Sequence, residues 1–212
     1  MEQKEAKLAI FDFDSTICEI ETLDEFAKNS PNHDKIKQIT IDGMNGKIDF
    51  FESITSRIEL LKGTNKSDLE EIYKNFKLTN GAIEIIKYLK EKNYKIIVFS
   101  GGFDTVLEYF EPILGIDTYF ANILHFNKQN KLSGKLGGEM MFNDSKGKIL
   151  QRLQKALNIS KENTLVVGDG ANDISMFKQA GKSVAFCGKS SLNMHADIII
   201  SEKNLLKLKK YV

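Results

Sequence analysis

The sequence predicts an α/β fold, a parallel sheet with helices on both faces, interrupted after its first strand by a small helical cap. Three observations predict it. Short apolar runs rich in β-branched and aromatic residues alternate with segments of helical period. Those runs are continuous rather than alternating, as strands covered on both faces require. The long interval between the first run and Gly81 contains no strand pattern and far exceeds what a single crossover needs.

The first strand is read at 7–13 (KLAIFDF). Residues 16–78 are expected to form the cap, because Ile36, Ile39, Met44, Ile48, Phe50, Phe51, Ile54, Ile58, Leu60 and Leu61 recur at helix-like spacing. Residues 1–15 and 79–212 are expected to form the core. A helix is read at 81–92 from Ile83, Ile86 and Leu89, and a strand at 94–100 (YKIIVFS). The stretch 120–141 reads as a hairpin or loop around Gly134, Gly137 and Gly138. A helix follows at 146–157, then a strand at 164–168 and a short helix at 173–181 ending at a glycine. A strand at 183–186 and an edge strand at 197–200 complete the sheet. Strands that alternate with helices imply an α/β fold with a parallel sheet.

Composition narrows the function. Formal net charge is +1, and the one dense basic run, Lys207, Lys209 and Lys210, reads as a solvated face. No broad basic surface for nucleic acid is expected. The start, MEQKEAK, is charged and carries no apolar signal segment, and no window approaches membrane-spanning length, so a cytoplasmic protein without a membrane partner is expected. The two cysteines, Cys18 and Cys187, are too few for a disulfide framework or metal motif, and both read as small, mostly buried side chains. His33, His125 and His195 share no metal-ligand spacing and read as surface or loop residues.

The chemistry-bearing residues fall at the carboxyl ends of strands, where parallel sheets place ligands. The first strand ends in Asp12-Phe13-Asp14, two carboxylates on one side that repel unless a cation or shared proton intervenes. The second ends in Ser100-Gly101-Gly102, a hydroxyl followed by backbone N–H groups suited to an anion. The third ends in Gly168-Asp169-Gly170-Ala171-Asn172-Asp173, and Lys146 at a helix start can supply positive charge. Each piece alone is usually a turn, a loop or a solvated charge. Their coincidence on one rim points to Mg²⁺ and a phosphate.

In order, type and spacing these residues resemble the haloacid-dehalogenase-like phosphatases. Asp12-x-Asp14-x-Thr16, Ser100-Gly101, Lys146 and Gly168-Asp169-Gly170-x-Asn172-Asp173 match the four motifs of that family. The resemblance covers nearly the whole chain and is greatest to the members that hydrolyse phosphoserine, through FDFDST, ETLDE, the stretch 43–63, VFSGGFD and VVGDGANDISMFKQAG. It implies a Rossmann-like core with an inserted cap. It implies Asp12 as nucleophile forming an aspartyl phosphate, and Asp14 as general acid and base. It implies Mg²⁺ held by the Asp12 and Asp169 carboxylates and the main-chain carbonyl of Asp14. Lys146, Ser100 and Gly101 would hold the phosphoryl oxygens, Asn172 would orient the substrate, and Asp173 would steady the metal's water shell or Lys146. Thr16 would brace the Asp loop. In the cap, Glu21 would pair with the ammonium of phosphoserine and Arg57 with its carboxylate, while Met44 and Phe50 would wall the pocket. The implied role is the last step of serine synthesis, by a monomer or homodimer. Three alternatives stay open on the residues themselves: a phosphatase for another small phosphate ester, a phosphotransferase, and a non-catalytic phospho-ligand module.

Overall fold

The computed structural model describes residues 5–44 and 47–212, and of Met44 only the backbone. The expected place of the Met44 side chain in the pocket wall therefore lies outside the described residues.

Among the described residues, seven strands make one sheet: β1 Lys7–Asp12, β2 Tyr94–Phe103, β3 Thr118–Phe126, β4 Leu132–Gly138, β5 Thr164–Gly168, β6 Lys182–Phe186 and β7 Ile198–Ile200. Their spatial order is β4-β3-β2-β1-β5-β6-β7. Every pairing is parallel except that of β3 with β4. Strand β1 lies between β2 and β5, and its alternation serves two cores. Leu8 and Ile10 face one cluster, with Ile149, Leu150, Val166 and Met176, while Ala9 and Phe11 face the other. A strand buried on both faces has no polar side, and this is why its sequence reads as an uninterrupted apolar run.

Among the described residues, four helices follow β1 before the chain returns to the sheet: α1 Thr22–Ala27, α2 His33–Met44, α3 Phe50–Leu60 and α4 Lys66–Lys74. The chain leaves the sheet and returns to it side by side. Thr79 N–H donates to the Ile17 carbonyl at 2.8 Å, and Glu19 N–H to that of Lys77 at 3.0 Å. Asp49 caps α3 by accepting from the Glu52 N–H at 2.7 Å. Ile54, Ile58, Leu69 and Tyr73 of these helices, with Leu61 just after α3, are buried in the same cluster as Ala9 and Phe11. The helical segment thus shares a core with one face of the sheet. Further along lie α5 Ala82–Glu91, α6 Asp104–Leu114, α7 Ser145–Leu157, α8 Ile174–Phe177 and α9 Ser190–Asn193. Among the described residues no helix is long and apolar enough to cross a membrane.

Four expectations need correction. The stretch 120–141 is part of the sheet: β3 pairs with β2 in parallel, and only β4 turns back as a hairpin. Asn122 and His125 interrupt the apolar pattern of β3, which masks it. The second strand runs past Ser100 to Phe103, with a register break on the β3 side between Phe99 and Phe103. The short helix ends at Phe177, not at Gly181. Gly181 serves a close backbone approach instead, since a Cβ there would lie 2.6 Å from Glu162 Cα. Finally, Cys18 is buried but Cys187 is exposed, because the chain turns outward there with φ 47° just after β6.

Phe103, fully buried at the end of β2, stacks on Phe26 of α1 with centroids 5.8 Å apart. Truncating it empties the joint between sheet and helical segment. Phe103→Ala is expected to lose about 3–5 kcal/mol of stability in urea unfolding. A loss below about 1 kcal/mol would show that the joint repacks.

Candidate active site

The site forms where β1, β2, β5 and β6 end. After Asp12 the chain makes a wide turn, Phe13–Ile17, closed by Cys18 N–H donating to the Phe13 carbonyl at 2.8 Å. Ser15 holds a left-handed φ of 55°, uncommon for a residue with a side chain. Its hydroxyl donates to Glu21 Oε1 at 2.8 Å. Asp14 thus sits in this turn, just beyond the strand, and both carboxylates line one cleft of about 970 Å³. Gly101, Asp169 and Asn172 line its floor, and Glu21, Phe50 and Arg57 its other wall.

Behind the floor is a buried ion triad. Lys146 Nζ reaches Asp12 Oδ1 at 2.7 Å and Asp173 Oδ1 at 2.6 Å. Asp12 Oδ1 also accepts from the Phe13 N–H at 2.8 Å. Asp173 Oδ2 accepts from the N–H groups of Asp169 and Gly170, each at 3.0 Å. Gly168 makes room for this: a Cβ there would fall 2.2 Å from Asp173 Oδ2. Burial alone lowers the Lys146 pKa, but Asp12 and Asp173 more than offset it and hold the ammonium charged above its ordinary value.

Carboxylate oxygens of Asp12, Asp169 and Asp173 lie within 4.8 Å of one another, all buried. Burial, then the charge of Asp173, push Asp12 well up, with Lys146 pulling back. The same two causes raise Asp169 to about 6. Such a cluster is all oxygen, desolvated and short of positive charge, and so suits a hard divalent cation. Asp173 spends both oxygens on Lys146 and two backbone N–H groups, so Asp12 and Asp169 have the spare coordinating capacity. Asp14 is not in this trio. Its Oδ1 accepts from the Thr22 hydroxyl at 2.5 Å and the Thr22 N–H at 3.1 Å. Burial, then the charge of Glu21, raise it to about 7.

At the end of β2, Ser100 is fully buried and its Oγ accepts from the Gly102 N–H at 2.9 Å. A Cβ on Gly102 would lie 3.0 Å from both Ser100 Oγ and Asp14 Oδ2. A Cβ on Gly101 would lie 3.2 Å from the Phe50 ring, so the helical segment meets the floor there. Arg57 of α3 donates to the Ser53 carbonyl at 3.2 Å and reaches across to Thr40 Oγ1 of α2 at 3.3 Å. Burial pulls its pKa down, against the charges of Asp24 and Glu21. Thr16 is buried with no hydrogen-bond partner for its hydroxyl among the described residues, so any bracing it provides comes from packing.

Two residues at the site, Thr22 within ETLDE and Lys189, are given no role by the sequence. Thr22 holds Asp14, which the motif gives no hint of. Lys189 sits half-exposed between Asp169 Oδ2, at 3.5 Å, and Glu21 Oε1, at 3.9 Å. It follows the end of β6, so the rule that ligands gather at carboxyl strand ends could have found it. A second lysine, beside Lys146, thus faces the strand-end carboxylates. Cys18 donates to the Lys77 carbonyl at 3.3 Å, and burial pushes its thiol up to about 12, which makes it unreactive.

A carboxylate whose folded pKa exceeds its unfolded value keeps a proton that the unfolded chain has released. Stability therefore falls as pH rises between the two values. For Asp169 that window runs from 3.8 to about 6. In chelator, Asp169→Asn is expected to melt several degrees above the parent at pH 7.5, with the gap narrowing toward pH 5. A gap independent of pH in thermal melts would count against ionised Asp169 being strained in the metal-free protein.

Comparison with known proteins agrees with this geometry. Residues 6–181 match the family model described as haloacid dehalogenase-like hydrolase. The phosphoserine phosphatase of Wolinella succinogenes is 48% identical over 202 residues, covering 95% of this chain and 98% of its own. That of Methanocaldococcus jannaschii is 43% identical, covering 99% of each. A solved structure described as a phospho-aspartyl intermediate analogue of phosphoserine phosphatase superposes with a TM-score of 0.93 at 42% identity, covering 99% of this chain and 100% of that one. A substrate-bound phosphoserine phosphatase complex superposes equally well, with the same TM-score, identity and coverage. The chain belongs to the haloacid dehalogenase-like hydrolases, and within them to the phosphoserine phosphatase family.

Proposed function

We propose that the protein hydrolyses O-phospho-L-serine to L-serine and phosphate through an aspartyl phosphate on Asp12, with Mg²⁺ as its metal. The observation that carries this reading is the pair of differently held carboxylates at one strand end. Asp12 is tied to a charged lysine, whereas Asp14 is raised to about 7 beside it. The near-full-length likeness to phosphoserine phosphatases supports the substrate.

Asp12, oriented by Lys146 and the Phe13 N–H, attacks phosphorus. The bond from phosphorus to the serine oxygen breaks, and Asp14 gives that oxygen its proton. Asp14 then takes a proton from water as the water oxygen bonds to phosphorus, and the bond to Asp12 breaks to release phosphate. A group with pKa about 7 can serve in both directions near neutral pH. Asp12 and Asp169 would hold Mg²⁺, with the main-chain carbonyl of Asp14. When bound, Mg²⁺ supplies positive charge that offsets repulsion between the attacking carboxylate and the phosphate. Lys146, Ser100 and Gly101 place donors at the phosphoryl oxygens, the main source of catalysis in such transfers. Asp173 holds Lys146, and Asn172 orients the substrate.

Substrate choice falls to the helical segment, residues 16–78, acting as a cap over the core of residues 1–15 and 79–212. Glu21 takes the ammonium and Arg57 the carboxylate, from the wall opposite the phosphoryl site. Phe50, against Gly101, excludes water as the cap closes. Serine biosynthesis in the cytoplasm is the setting this chemistry suits.

Phosphate release is the direct test, with Mg²⁺, across phosphoserine, phosphothreonine, sugar phosphates and nucleotides. Phosphoserine is expected to be cleaved fastest, and activity to vanish in chelator and in Asp12→Asn. A different preferred ester with the same Asp12 dependence would leave the mechanism standing and remove the substrate assignment. Arg57→Ala is expected to raise KM for phosphoserine by about 30–100-fold, the worth of a charge-assisted pair. It should leave phosphoethanolamine, which lacks the carboxylate, within about threefold. Equal losses on both would show that Arg57 acts on the fold of the cap rather than on the carboxylate.

A further inference from the structure

The loop that meets the phosphoryl group is held from behind by a residue outside the site's motifs. Ser100, Gly101 and Gly102 lie where the β2–β3 register breaks, between Phe99 and Phe103. A break of this kind takes backbone groups out of the ladder, and buried ones need another partner. Asn122 of β3 provides it. The residue is fully buried, and its Nδ2 donates to the Gly101 carbonyl at 2.9 Å and to that of Met140 at 3.3 Å. Both neighbours of this nitrogen are acceptors, which fixes the orientation of the amide. Its Oδ1 is buried with no hydrogen-bond partner among the described residues.

The Gly101–Gly102 peptide is consequently held at both ends. Its carbonyl accepts from Asn122, and its N–H donates to Ser100 Oγ at 2.9 Å. Ser100 Oγ, used there as an acceptor, keeps its own proton to donate. The approach of Asn122 needs Gly138, its partner in the β3–β4 register. Gly138 has φ 111°, and a Cβ on it would lie 2.9 Å from Asn122 Cα and 3.2 Å from Oδ1. Gly138 therefore has a purpose beyond a turn: it lets β4 close over the amide. An unpaired buried oxygen is costly, and an apolar residue of this size would avoid that cost. The amide's two donors are what an apolar residue could not supply.

We propose that Asn122 is a positioning residue for phosphoryl binding, fixing the Gly101–Gly102 peptide so that Ser100 and the loop present their donors to the phosphate. The proposal rests on the phosphatase reading above, and its test separates the two. Wild type, Asn122→Leu, Ser100→Ala and the double variant would be compared by calorimetric titration of inorganic phosphate in Mg²⁺, and by kcat and KM for phosphoserine. Asn122→Leu is expected to weaken phosphate binding at least tenfold and to lower kcat/KM by about 10–100-fold. In the Ser100→Ala background the same change should cost less than about threefold, because the two residues act as one unit. Losses that multiply in full, or wild-type phosphate affinity in a folded Asn122→Leu, overturn the proposal. Should Asn122→Leu not fold, Asn122→Ser, which removes the amide without adding apolar bulk, carries the same cycle and is judged by the same two criteria. A wild type that binds phosphate but does not cleave phosphoserine removes the substrate reading, while the phosphate cycle still decides on Asn122.

Discussion

The ion triad of Asp12, Lys146 and Asp173 is the constraint around which the rest of the structure is arranged. Its members come from three separate elements: the end of β1, the first turn of α7 and the segment after β5. All three are nearly or wholly buried. Charges taken out of water are costly, and removing any one would strand the others. The triad therefore ties β1, β5 and α7 into one relative position. The glycines around it follow from the same demand. Gly168 admits the Asp173 carboxylate, and Gly147 lets α7 approach the Ser175 carbonyl, where a Cβ would lie at 2.6 Å.

The triad is also short of positive charge. One lysine faces two aspartates, with Asp169 close by. Lys189 reaches Asp169 from the open side at 3.5 Å but remains half-exposed, so water screens much of its effect. The protein keeps this imbalance because its remaining core is large: β1 and β2 are buried on both sides, and the helical segment shares one of the two clusters. Stability supplied there allows a strained, anionic floor at the strand ends, a common arrangement where a cation or substrate completes the charge.

Much of this was legible in the chain. The apolar runs at β1, β2, β5 and β6 stand out because strands covered on both faces carry no polar positions. The carboxylates and glycines after them stand out because loops at strand ends have no packing reason for such residues. β3 was not legible as a strand of the sheet, because Asn122 serves the loop beside it and breaks the apolar pattern. The left-handed turn at Ser15 and the exposed position of Cys187 leave no trace in composition, since both depend on where the chain must go next.

What the sequence determined by itself was the alternation of elements, the helical insertion after β1, and the identities of the residues at the strand ends. Each of these is a local property: hydrophobic period, turn chemistry, or a motif within a few residues. Tertiary structure alone decided which charges meet. Lys146 reaches Asp12 across more than a hundred residues of chain, Thr22 holds Asp14, Lys189 stands between Asp169 and Glu21, and Asn122 takes the carbonyl that the ladder gave up. Strand order and register bring these pairs within hydrogen-bond range. Electrostatic and hydrogen-bond energies fall steeply with distance and misalignment, so the partners of a buried charge are settled only when the sheet is assembled.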